Sequence, residues 1–189
     1  KVDFLNLEPE REVVKSERLL RTENSPGGLA EEVMQARAFE SFPYHWGTIG
    51  WMSDLNAITV EEAQAYHEVH YSPNNAFVVV VGDFDPETTL GWIRESYGHL
   101  ERKELPPEDF PAEPAQKAER RDRVVKPVTP QLVTFGYRAP AVRDADFAAL
   151  EVLDQLLAGS KSSRLKQALV YADPPRVNQL STALYPIRH

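Results

Sequence analysis

Apolar residues recur at helical spacing in the first third of the chain and form a continuous β-branched run near its middle. Pro9 suits a first helical turn, and residues 10–23 read as a helix. Asn24-Ser25-Pro26-Gly27-Gly28 interrupts it, and residues 29–39 read as a second helix. Residues 42–55 form a Gly- and aromatic-rich loop. Thr59-Val60-Glu61-Glu62 has the form of a capping box that starts a helix reaching about Tyr71. After the turn Ser72-Pro73-Asn74-Asn75, residues 76–81 are uninterruptedly apolar, which predicts a strand buried on both faces. Asp85-Pro86 then supplies an N-cap and a first-turn proline for a helix to about Tyr97.

Residues 101–120 change character, with four prolines (106, 107, 111 and 114), many charges and one aromatic, Phe110. Such a stretch reads as a semi-rigid linker. The expected organisation is therefore 1–104, a linker at 105–120, and 121–189. Strands are predicted at 123–128, 131–137 and 177–185, and helices at 147–157 and 163–171. Two adjacent strands after the linker favour an α+β fold, with helices packed on a mixed or antiparallel sheet, over a doubly wound parallel one.

Composition narrows the function classes. The chain has 189 residues, 42% hydrophobic and 26% charged, which is ordinary for a globular protein of one domain or two small ones. Lys and Arg total 21 against 29 Asp and Glu, a net charge of −8. That balance argues against nucleic acid as a partner, since such binding depends on clustered basic groups. No apolar run is long enough for a membrane span. Cysteine is absent, so thiolate chemistry and disulfides are excluded, and bacterial cytoplasm and periplasm are equally compatible.

The most informative chemistry lies in Glu10-Arg11-Glu12-Val13-Val14-Lys15-Ser16-Glu17. At about 100° per residue, seven positions bring Glu17 to within roughly 20° of Glu10. The two carboxylates share a stripe with Val13, Val14 and Arg21 that is expected to face the protein interior. A carboxylate away from water needs a cation, either a metal ion or an Arg or Lys. Spacing alone favours the ordinary ion pair. The two acids stand about 10 Å apart along the axis, too far to clasp one small ion together.

Other candidates are plainer. His67-Glu68-Val69-His70 places two histidines three apart on a helix without a third ligand, so a role in the last helical turn is the simpler reading. Gly82-Asp83-Phe84-Asp85 reads as a strand end followed by an N-cap. Ser160-Lys161-Ser162-Ser163-Arg164 reads as a helix start.

Taken in order, several segments resemble the pitrilysin/insulinase family of zinc metallopeptidases, which includes mitochondrial processing peptidase and bacterial zinc proteases. They are Glu10-Arg11-x-Val13-Val14-x-x-Glu17, Pro43-Tyr44 with Ile49-Gly50 and Asp54-Leu55, and Tyr71-Ser72-Pro73-Asn74-Asn75-Ala76 running into Val80-Val81-Gly82-Asp83-Phe84-Asp85. Gly136-Tyr137-Arg138-Ala139-Pro140 and Leu156-Leu157-Ala158-Gly159-Ser160-Lys161-Ser162-Ser163-Arg164-Leu165 complete the series. The resemblance implies a processing-peptidase-like fold, with 1–104 the C-terminal half of a first peptidase-like domain and 121–189 the N-terminal part of a second, homologous one. It implies Zn2+ as cofactor, Glu17 as a metal ligand and Glu10 as a supporting acid. It also implies peptide or unfolded polypeptide as substrate, and a homo- or hetero-dimer is compatible with it. The family's His-x-x-Glu-His motif is not in this sequence and by the family's layout is expected upstream of Lys1. The chain alone is therefore expected to be inactive within a metalloendopeptidase. The alternative implied by the same resemblance is a non-catalytic partner subunit.

Overall fold

The computed structural model describes Phe4, residues 6–129 and residues 131–185. Among the described residues six α-helices form: α1 (Leu7–Arg18), α2 (Pro26–Ala38), α3 (Met52–Ala57), α4 (Val60–His70), α5 (Pro86–Tyr97) and α6 (Phe147–Asp154). Wider π-type turns extend α1 over Leu19–Glu23 and α6 over Gln155–Gly159, and another covers Lys166–Val170. The chain divides into two compact units, Lys1–Gly136 and Tyr137–His189.

The caps explain the helix starts. Ser25 Oγ accepts from the Gly28 amide at 3.1 Å, with Pro26 at the first helical position. Thr59 and Glu62 form the reciprocal capping box, with the Glu62 amide donating to Thr59 Oγ1 at 3.2 Å and the Thr59 amide to Glu62 Oε2 at 2.8 Å. Asp85 Oδ1 accepts from the Thr88 amide at 2.8 Å, ahead of Pro86. The short helix α3 overlaps the end of the stretch 42–55 read as a loop; its six residues carry little propensity signal, and packing against α1 stabilises it.

The expected sheet is not there. Among the described residues no strand forms, so the α+β reading with helices on a mixed or antiparallel sheet is corrected to a helical chain in which helices pack on helices and turns. No backbone hydrogen bond within the described chain ties residues 76–84 to another segment. The stretches 123–128, 131–137 and 177–185 likewise carry no ladder. A β-branched run is only a propensity; a strand exists through the neighbour that pairs with it. Here that neighbour is missing, and Phe77, Val79 and Val81 are 89%, 71% and 91% exposed.

The same shortage shows in the surface. The chain exposes 15586 Å². A compact globule of 21.4 kDa exposes about 9,100 Å², and two separate globules of these unit sizes about 10,800 Å². The only buried apolar residue among those described is Ala158. Order within the first unit rests instead on polar anchors and close helix contacts. A Cβ on Gly28 would lie 2.0 Å from the Arg21 carbonyl oxygen, so only glycine lets α2 approach the turn that ends α1 this closely.

Replacing Thr59 by Ala should cost about 1 kcal/mol, read as a lower urea midpoint, by leaving the Glu62 amide in the first turn of α4 without its acceptor. The Asp85 carboxyl is held below its ordinary value of 3.8 by the Thr88 hydroxyl and amide. A group whose folded pKa is depressed stabilises fully above its unfolded value and loses that contribution as pH falls through the folded one. An NMR titration of Asp85 should therefore show a midpoint below 3.8, and Asp85→Asn should remove this part of the acid sensitivity of α5.

Candidate functional site

Helix α1 carries the two acids singled out by spacing, and its orientation is set by the residue that follows the second. Arg18 is 5% exposed. Its Nη1 and Nη2 donate to Glu32 Oε1 and Oε2 on α2 at 2.6 and 3.0 Å, a two-pronged pair. Its Nε donates to Glu23 Oε1 at 3.3 Å, and Nη1 also donates to the Gly50 carbonyl. The guanidinium lies 5.8 Å from the centre of the Trp51 ring. Gly50 presents that carbonyl from a backbone with φ +75°, in the left-handed region that glycine enters without strain. The hydrogen bond to Glu32 leads the causes that raise the Arg18 pKa, against the opposing effect of burial.

With Arg18 turned inward, the opposite side of α1 faces away from the unit's own packing. Arg11 reaches the Ile58 carbonyl at 2.8 Å and pairs with Glu8, so the inward side runs through Arg11 and Arg18. The stripe expected to be interior lies elsewhere. Glu10 is exposed and makes no ion pair among the described residues, and Val13 and Leu20 are largely open to solvent. Glu17 is half-buried and pairs with Arg21 Nη1 at 2.9 Å, one turn on. Such an exposed pair is worth about 0.3–0.5 kcal/mol, so another cation could displace Arg21 at little cost.

Among the described residues the histidines do not join these acids. His67 stacks on Tyr71 with ring centres 4.6 Å apart, and His70 lies 4.3 Å from the Tyr66 ring. His45 Nδ1 is 2.6 Å from the Phe39 carbonyl oxygen. Among the described residues no group of three His, Cys, Asp or Glu is arranged to hold a metal ion. The residues present therefore do not by themselves fit zinc. Arg18 is the residue that the spacing argument missed: on the helical wheel it falls on the polar side, and only the position of Glu32 shows that side to be the buried one.

Residues 57–173 match the family described as the peptidase M16 inactive domain. The chain belongs to the M16 peptidase family. Among similar proteins, zinc protease PqqE of Helicobacter pylori is 37% identical over 166 residues, covering 86% of this chain and 37% of that protein. An uncharacterised zinc protease of Mycobacterium leprae is 28% identical over 171 residues, covering 87% of this chain and 37% of that protein. The crystal structure of a protease from Helicobacter pylori superposes with a TM-score of 0.80 at 30% identity, over 100% of this chain and 46% of that one. The resemblance to pitrilysin/insulinase-type zinc proteases is thus borne out, and the chain spans about a third of the length of the curated relatives it matches.

Arg18→Ala should lower stability by about 2–3 kcal/mol in a urea melt. That is less than a deeply buried pair costs, because Glu23 keeps 35% of its side chain exposed. The loss comes mostly from leaving Glu32, 11% exposed, without its cation. Arg18→Met combined with Glu32→Leu should recover a large part of it.

Proposed function

We propose that this chain is part of a zinc-dependent metalloendopeptidase, in which α1 contributes Glu17 as the carboxylate ligand of the metal and Glu10 as its supporting acid. The observation that carries this reading is the division of α1 into two faces. Arg18 locks one face to α2 and Trp51, and this leaves Glu10, Val13, Glu17 and Leu20 on an open stripe of a rigidly held helix. A ligand held on a well-anchored helix loses little freedom when it binds, which is what a metal site asks of its protein.

The chain's own contribution is limited and specific. Glu17 supplies one negatively charged oxygen donor, and Arg21 neutralises it until a stronger cation takes its place. Glu10, two turns earlier, is too far along the axis to share a small ion and acts on groups around it. With a single candidate ligand the chain alone binds zinc weakly and hydrolyses nothing. In this reading two imidazoles from outside these 189 residues complete the site, and peptide or unfolded polypeptide is the substrate.

The second reading is a non-catalytic partner subunit of the same family, supported by the description of the matched family as an inactive domain. That match begins at residue 57, downstream of Glu10 and Glu17, so the description does not extend to α1. The pair of acids on one side of an anchored helix favours the catalytic reading.

In the full-length protein, Glu17→Gln should reduce bound zinc to a small fraction and lower hydrolysis of an unstructured peptide by about a hundredfold or more, with a circular dichroism spectrum that matches the metal-free wild type and a melting temperature no lower than that of the metal-free wild type. Unaltered zinc content in that variant would remove Glu17 from the site. A wild-type protein without zinc or peptidase activity would establish the partner subunit instead.

A further inference from the structure

The Pro-rich stretch read as a linker is held down at several points on the first unit, and one of them has the form of a binding site. Glu113 sends its carboxylate to three consecutive backbone amides. Oε1 accepts from Glu40 N at 2.8 Å, and Oε2 accepts from Ser41 N and Phe42 N, each at 2.9 Å. These amides follow the end of α2, where the chain leaves the helix and turns into Pro43-Tyr44-His45. Successive amides converging on one carboxylate form an anion-binding nest, and a charged acceptor makes each hydrogen bond stronger than its neutral counterpart. Glu113 is half-buried while Pro111, Ala112, Pro114 and Ala115 are exposed, so its side chain alone turns into the unit.

An aromatic contact accompanies the nest. Phe110, three residues before Glu113, lies 5.5 Å from the Phe42 ring, and Phe42 in turn lies 4.8 Å from Tyr44. Further along, Arg120 pairs with Glu40 and donates to the Arg37 carbonyl, and Asp122 accepts from Arg37 Nε at 2.8 Å. Pro111 and Pro114 flank the docked carboxylate and restrict the free chain, which lowers the entropy lost on docking.

We propose that the amides of Glu40–Phe42 and the Phe42 ring form a carboxylate-binding site for an extended peptide segment, and that its resident ligand is this chain's own Phe110-Pro-Ala-Glu113. The segment is thereby a strap, latched by Glu113 across the end of α2 and the aromatic turn. The ligand class is an acidic extended segment with an aromatic residue three positions before a glutamate. The site is separate from Glu10 and Glu17 and does not depend on the metal reading.

Amide hydrogen exchange in the full-length protein tests the latch. In wild type the Glu40, Ser41 and Phe42 amides should be protected. Glu113→Ala should speed their exchange by at least about tenfold, since a hydrogen bond to a charged acceptor is lost at each. Glu113→Gln, which keeps an acceptor oxygen but not the charge, should give a smaller increase. Arg120→Ala, which removes the ion pair with Glu40 and the hydrogen bond to the Arg37 carbonyl but leaves Glu113 in place, should leave Ser41 and Phe42 protected. Limited proteolysis within 105–119 should accelerate in Glu113→Ala. Unchanged exchange at residues 40–42 in Glu113→Ala would overturn the proposal. So would an increase spread equally through α4 and α5, because Glu113 would then be supporting the whole unit rather than latching one segment.

Discussion

The guanidinium of Arg18 is where the first unit is tied together. It gathers the end of its own helix through Glu23, the middle of α2 through Glu32, and the turn before α3 through Gly50 and Trp51. Apolar burial cannot do this here, because the described residues bury almost no large hydrophobic side chain. A charge that is nearly inaccessible to water must be met by matched partners, and meeting those partners sets the azimuth of α1. The direction in which Glu17 points follows from its place next to Arg18 in the chain.

That constraint links architecture to function. Under the proposed function α1 offers an acid-bearing helix face left open beside a locked one. Among the described residues Glu17 is held by Arg21 through a weak surface pair, and in that reading it is available to another cation. Glu113 illustrates the opposite case, a carboxylate satisfied by three backbone amides and so committed to one place. Both carboxylates belong to the same unit, and the difference between them lies in the partners that the fold supplies.

The large exposed area and the bare runs at 77–81 and 132–137 have one cause. Their composition suits strands, and strands depend on a neighbour's N–H and C=O groups as much as on side chains. Without a ladder the same residues remain apolar and uncovered. The solved protease from Helicobacter pylori, of which this chain covers 46%, shares its fold over the matched part.

Local signals were legible residue by residue. Thr59 with Glu62 and Asp85 with Pro86 marked where helices begin, because a cap needs only atoms within three or four positions, whereas Ser25 and Pro26, read as part of a break before a helix at residue 29, cap α2 three residues earlier. The order of the motifs from Glu10 to Leu165 determined the family. Helix α3, the absence of strands among the described residues, the inward side of α1 and the docking of Glu113 depended on residues far apart in the chain: Arg18 on Glu32 and Gly50, 14 and 32 positions on, and Glu113 on the amides of residues 40–42, more than 70 positions back. Sequence spacing places Glu10 and Glu17 on one face of a helix, but which face is buried is decided by the cation that finds a partner across the fold.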